Sequence, residues 1–229
     1  MGEKTIEGIL KFKTPGSNPE GVTMDEDGFW IIDEKTKLVQ KISVEKGDVK
    51  RSFEIEMEKP RSLTFDGKNL WFSENKNKTL NMIDLEKEEI IKSFKAPMPS
   101  GVKNGFLEGL TWDGKYLWSV CYAGWSSKTY IIDPDAEKAN EKRSFFSGCW
   151  PRGITTNKEL LWTLCYNGEK FPPSIDQREI SEDPIKMVKS RKFIYKLSKI
   201  KDPNDLTFDG NNIIILDRAT KALYYVEVN

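Results

Sequence analysis

Apolar and polar positions alternate with a period of two along most of this chain, in short runs broken by Asp-Gly or other glycine-bearing turns. That pattern predicts strands joined by hairpins. Five ten-residue windows align without gaps, at 21–30, 62–71, 109–118, 153–162 and 205–214. Their third position is threonine in every case: Thr23, Thr64, Thr111, Thr155 and Thr207. Their tenth position is Trp30, Trp71, Trp118 and Trp162 in the first four. The threonines lie 41, 47, 44 and 52 residues apart, and 45 residues separate Thr207 from Thr23 when the count passes through the termini. The last interval therefore equals a repeat only if the two ends meet.

Each window predicts two strands, and a third and fourth follow before the next window. The fourth carries its own signature, Lys50-Arg51-Ser52-Phe53, Lys92-Ser93-Phe94 and Lys142-Arg143-Ser144-Phe145. The segment 9–15 resembles 91–97, so it reads as a fourth strand without a blade, while the fifth repeat lacks one. Four strands per repeat of about 45 residues is the pattern of propeller blades. The expectation is an all-β fold, a single five-bladed β-propeller of four-stranded blades, closed by the N-terminal strand pairing with the C-terminal blade. The blades fall near 16–57, 58–104, 105–148, 149–201, and 202–229 plus 4–14. The recurring tryptophans read as core between blades. Blade four carries an insertion, 167–190, in which Ser181 followed by acids predicts the N-cap of one short helix.

Composition narrows the function. Thirty-six basic and thirty-six acidic residues give a formal net charge of zero, which excludes whole-molecule attraction to nucleic acid or to an anionic membrane. No apolar run approaches the length of a bilayer span. The absence of histidine removes histidine-based triads and metal sites. Three cysteines, an odd number without CxxC spacing, argue against a disulfide framework or a zinc motif. The charged start, Met1-Gly2-Glu3-Lys4, has no apolar leader; the compartment stays open, with the cytoplasm favoured over a secreted chain trimmed of its signal. A monomer is expected.

In a propeller the residue just before each window borders the axial mouth. Those residues are Glu20, Arg61, Glu108, Arg152 and Asn204, so acid and base alternate round the ring and an amide closes it. Such a ring is either a structural ion-pair plug or a polar pocket in which Arg61 or Arg152 grips a carboxylate. Two arginines among the acids disfavour a central calcium, and no cofactor is expected, although Asp33, Glu74, Asp205 and Asp217 keep oxygen ligands close by. The acids that end the second strands, Asp33, Glu74 and Asp217, read as caps of the following loops. Blades three and four carry Cys121-Tyr122 and Cys165-Tyr166 at that point instead, and Trp125, Trp150 and Phe171 gather on the same side. The candidate ligand residues are thus Arg61, Arg152, Asn204, Tyr122, Trp125, Trp150 and Tyr166. Without a histidine base, a catalytic cysteine is disfavoured.

The segment Asp202-Pro203-Asn204-Asp205-Leu206-Thr207-Phe208-Asp209-Gly210 resembles blades of NHL-like and SMP-30-like propellers. The blade count and Glu108-Gly109-Leu110-Thr111 resemble plant-type glutaminyl cyclotransferases. In that family a glutamate before Gly-Leu-Thr shuttles the proton, which implies Glu108 as a general acid/base. The SMP-30-like pattern implies a first-blade glutamate and a last-blade asparagine around a metal, here Glu20 and Asn204. The cyclotransferase pattern places its glutamate one blade earlier, where this chain has Arg61, and the interposed Arg61 and Arg152 depart from the SMP-30-like pattern. Two functions follow as expectations: a binding protein for a small polar molecule or peptide on the axial face, or an enzyme of cyclotransferase or lactonase type using Glu108 or Glu20.

Overall fold

The computed structural model describes every residue except 1, 103, 136–139, 167, 169–170, 181–187 and 229, with backbone alone for 140 and 188–193. Two strands, β1 (Gly2–Glu7) and β2 (Ile9–Lys13), precede the blades. Blade one comprises β3 (Pro19–Met24), β4 (Gly28–Asp33), β5 (Leu38–Ser43) and β6 (Val49–Glu54). Blade two follows as β7 (Pro60–Phe65), β8 (Leu70–Glu74), β9 (Thr79–Asp84) and β10 (Glu89–Lys95). Blade three is β11 (Phe106–Trp112), β12 (Leu117–Tyr122), β13 (Lys128–Asp133) and β14 (Asn140–Phe146). Blade four is β15 (Trp150–Thr156), β16 (Leu160–Tyr166), β17 (Ser174–Ile180) and β18 (Val188–Ser198). The last blade holds β19 (Pro203–Phe208), β20 (Ile213–Asp217) and β21 (Ala222–Val226), and β2 completes it by pairing antiparallel with β21.

Closure by the N-terminal chain is therefore as expected. The preceding strand β1 was not: it runs parallel to β18 and gives blade four a fifth strand. The helix expected from Ser181 falls within 181–187, outside the described residues. Among the described residues no helix is long and apolar enough to cross a membrane.

The repeat is explained by cross-strand pairs. Thr23, Thr64, Thr111 and Thr155 lie opposite Trp30, Trp71, Trp118 and Trp162, and Thr207 lies opposite Ile214. A β-branched residue beside a large ring fills the pleat, and all four tryptophans are buried. The phenylalanine of the fourth strand meets the same ring edge-on or tilted: Phe53 on Trp30, Phe94 on Trp71 and Phe145 on Trp118. The window aspartate joins turn to core. One oxygen of Asp66 accepts the turn amides of Lys68 and Asn69, and the other accepts Trp71 Nε1 at 2.8 Å. Asp25 and Asp113 do the same for Trp30 and Trp118, each at 2.7 Å.

The innermost strands β3, β7, β11, β15 and β19 touch in a closed ring. Their closest approach falls on the first window position, Gly21, Ser62, Gly109, Gly153 and Asp205. A Cβ on Gly109 would stand 2.7 Å from the Ile154 nitrogen, and one on Gly153 would stand 2.9 Å from Asp205 Oδ1. Glycine is required there by space. The two side chains that do occupy the axis hold each other, Ser62 Oγ lying 2.9 Å from Asp205 Oδ2. Val22 N–H also donates to Asp205, and Leu110 N–H donates to Ser62 Oγ, so four blades are tied at one point.

Candidate functional site

Directly above this plug sits the predicted ring. In each innermost strand the register slips by one residue, between Pro19 and Gly21, Pro60 and Ser62, Leu107 and Gly109, Pro151 and Gly153, and Pro203 and Asp205. The residue skipped is the ring residue every time. A bulge leaves that residue without a cross-strand partner and re-aims its side chain, here toward the axis. Proline precedes it in four blades and has no N–H to leave unmade at the strand's start.

Four of the five ring residues form one buried hydrogen-bonded group around a cation. Arg61 Nε donates to Glu108 Oε2 at 2.6 Å, and Arg61 Nη1 donates to Glu20 Oε2 at 2.7 Å and to Asn204 Oδ1. Asn204 Nδ2 in turn donates to the Glu20 carboxylate at 2.7 Å and to its carbonyl at 2.8 Å. Burial alone would lower the Arg61 pKa, but the carboxylates of Glu108 and Glu20 more than reverse it, so the net direction is upward. Arg61 is a permanent cation that binds two acids. Its Nη2 is buried and has no acceptor among the described residues.

Arg152 stands apart. Among the described residues it has no carboxylate partner, and its guanidinium lies over the Tyr166 ring, 5.1 Å from the centroid. Trp150 stacks on Tyr166 with centroids 6.3 Å apart and planes 24° apart, and it meets Tyr122 edge-on. These groups surround a cavity of about 400 Å³, which Glu20, Arg61, Glu108, Arg152, Tyr122, Trp150 and Tyr166 all help to line. Seven of the nine expected site residues are thereby brought together. Asn204 is fully buried beneath, as a holder of Arg61 and Glu20. Trp125 is 94% exposed and lies outside the cavity.

Other lining residues escaped the sequence reading, among them Glu34, Lys59, Asn75, Phe106 and Arg218. Arg218 follows the last strand-ending acid, lies on the cavity wall and approaches Glu20 Oε1 at 3.5 Å. Phe106 begins β11 on the same rim, and Asn75 fixes that strand through two hydrogen bonds with the Leu107 backbone. Arg218 had a signal in its place after Asp217; Phe106 lies outside the aligned windows and had none.

The remaining acids serve the frame. Asp33 accepts the amides of Ser17, Asn18, Lys35 and Thr36, Glu74 accepts Glu58 N–H, and Asp217 accepts Asp202 N–H, as loop caps do. Burial pushes the Asp205 carboxyl well above the usual range, opposed by the donors from Val22 and Ser62.

The cysteine expectation is corrected. Cys149 and Cys165 form a disulfide with Cα atoms 5.8 Å apart. Cys165 pairs with Pro151 across the β15–β16 ladder, so Cys149, two residues upstream, comes beside it, and the bond staples the strand ends that carry Trp150 and Tyr166. The odd cysteine is Cys121, a buried thiol pushed up to about 11 by desolvation, which makes it a poor nucleophile.

No family model and no curated protein matches the chain. Solved structures share the fold. Glutaminyl cyclase of Myxococcus xanthus is 10% identical with a TM-score of 0.67, covering 99% of this chain and 100% of that one. A chain of Kuenenia stuttgartiensis hydrazine synthase is 17% identical at a TM-score of 0.57, and the match spans 89% of this chain but 56% of that one. Streptogramin B lyase is 16% identical at 0.54, over 95% of this chain and 67% of that one. This chain is thus similar in fold to propellers that include enzymes.

Proposed function

We propose that this protein is a binding protein whose axial cavity holds a small polar molecule or peptide by a carboxylate. The observation that carries it is Arg152: a guanidinium without a carboxylate partner among the described residues, laid on Tyr166 and facing a cavity in which Glu20 and Glu108 are both bound by Arg61. An arginine fork matches a carboxylate, and stacking holds it ready for one. The test is a thermal-shift screen of carboxylic acids and peptides against wild type and Arg152→Met. A ligand at a hundred times its Kd stabilises by about 2.7 kcal/mol, or about 5–10 °C at this size. That shift is expected to vanish in the variant; a shift that survives removes Arg152 from the site.

A second reading is catalytic, and Glu108 favours it. One of its oxygens carries Arg61, and the other has no partner among the described residues. The fold neighbour from Myxococcus xanthus is a glutaminyl cyclase, and Glu108-Gly109-Leu110-Thr111 resembles the cyclotransferase motif. Both oxygens of Glu20, by contrast, are occupied. Turnover of N-terminal glutaminyl peptides that is lost in Glu108→Gln and kept in Glu20→Gln supports this reading. No turnover by wild type excludes that substrate class.

A further inference from the structure

The axial cavity is one of two that meet at a shared wall. A second cavity, of about 390 Å³, is bounded by Trp150 and Tyr166 from its other side and runs outward across blade four, past Cys149 and Phe171, to Ile194 and Lys196 on β18. The wall between the two is fixed. Trp150 and Tyr166 are cross-strand partners, their rings stack, and the disulfide ties the strands beside them.

Exposed aromatic surface follows the same path. Among the described residues the exposed aromatic side chains are Phe106, Trp125, Phe146, Trp150 and Phe171. All five belong to blades three and four or the loops at their mouth-side ends. Phe146 is placed there by its pairing with Lys128, the first residue of β13. A molecule confined to the axial cavity would cover only Phe106 and Trp150 of the five. Phe171 borders the second cavity, and Trp125 and Phe146 line neither. Aromatic surface gathered on one face marks a contact larger than a metabolite.

We infer that the ligand of this face is a polypeptide segment, with a carboxylate on Arg152 in the axial cavity and an apolar side chain in the second cavity against Phe171 and Ile194. This rests on the axial reading above and extends it. Charge selects the occupant. A wholly apolar partner would cover Arg152 and leave a desolvated cation without a counter-charge, which is unfavourable. A bare carboxylate would satisfy Arg152 and leave the aromatic rim in water. An extended chain does both, since it carries unlike side chains a few ångströms apart, about 3.3–3.6 Å per residue.

The test uses the full chain and two probes. One is a bead library of acetylated octapeptides holding one aspartate and one phenylalanine at variable separation; the other is N-acetylaspartate. Wild type is expected to prefer one separation and to bind that peptide about 100-fold or more tighter than N-acetylaspartate, as joining two sites on one chain allows. Ile194→Trp, which fills the second cavity, should lower peptide affinity about tenfold or more and leave N-acetylaspartate unchanged. Phe171→Ala, at a loop position where the side chain is exposed, should act in the same direction. Arg152→Met should abolish both. If peptides bind no tighter than N-acetylaspartate, or neither second-cavity variant weakens them, the inference is overturned while the axial reading stands. If neither probe shows binding that depends on Arg152, the axial reading falls and this inference with it.

Discussion

Blade four breaks the rule by which the other tryptophan blades satisfy their indoles. At the position of Asp25, Asp66 and Asp113 it carries Asn157. The single amide oxygen of Asn157 accepts the turn N–H groups of Glu159 and Leu160, at 3.1 and 2.8 Å, so no oxygen remains for the indole. Trp162 Nε1 is accordingly buried without an acceptor among the described residues. The ring stacks instead on Phe208, with centroids 5.0 Å apart. Asn157→Asp restores the second oxygen. A buried donor without a partner costs about 1–3 kcal/mol, and hydrogen bonds to charged acceptors contribute about 1.5–3 kcal/mol. After a deduction for desolvating a half-buried carboxylate, we expect a gain of about 1–2 kcal/mol. At this chain length that raises the melting temperature by about 2–8 °C. Urea unfolding followed by tryptophan fluorescence should show a higher midpoint at unchanged slope, and Asp66→Asn should show the opposite. A midpoint that stays or falls in Asn157→Asp would refute the account of the repeat's aspartate.

Three further outcomes are expected. Arg61→Met leaves Glu20 and Glu108 buried without their cation, and should cost about 3–5 kcal/mol in urea unfolding, far more than removal of an exposed arginine. Gly109→Ala places a methyl group 2.7 Å from the Ile154 nitrogen and should destabilise by more than about 2 kcal/mol; a smaller loss would show that the axis can relax. Asp205 has a raised pKa in the folded state, so between the unfolded carboxylate pKa, about 3.9, and that raised value the unfolded chain loses its proton first. Its contribution to stability is present below that window and lost as pH rises through it. Asp205→Asn should remove this downward slope from a plot of stability against pH, and an unchanged slope would assign it to other groups.

Much of the frame was legible because it repeats. Threonine, aspartate and tryptophan recur where strand pairing needs them, and the ring residues are found by counting back one position from each window. Their roles within the ring were not legible. Arg61 and Arg152 occupy equivalent positions, yet one lies between two carboxylates and the other on a tyrosine, a difference made by side-chain direction and by Asn204 beneath. The disulfide was hidden because its bond follows from the β15–β16 register, in a chain whose odd cysteine count pointed the other way. Strand β1 had no counterpart in the repeat. Trp125 was placed with the site by its proximity in sequence to Tyr122, but its loop carries it outward.

The clasp formed by β1 and β2 sets a timetable for synthesis. Both strands precede the blades, and their partners, β18 and β21, belong to the last two blades. At about 5–20 residues per second, roughly 10–40 s separate the emergence of Lys13 from that of Val226. Through that interval the growing chain is an open arc with two strands waiting at its start. The charged residues along them, Glu3, Lys4, Glu7, Lys11 and Lys13, are of the kind that keep unpaired strand edges from joining one another. A bulky group fixed close to residue 2 would stand where the arc must shut, so its effect should fall on the yield of closed rings rather than on the axial cavity.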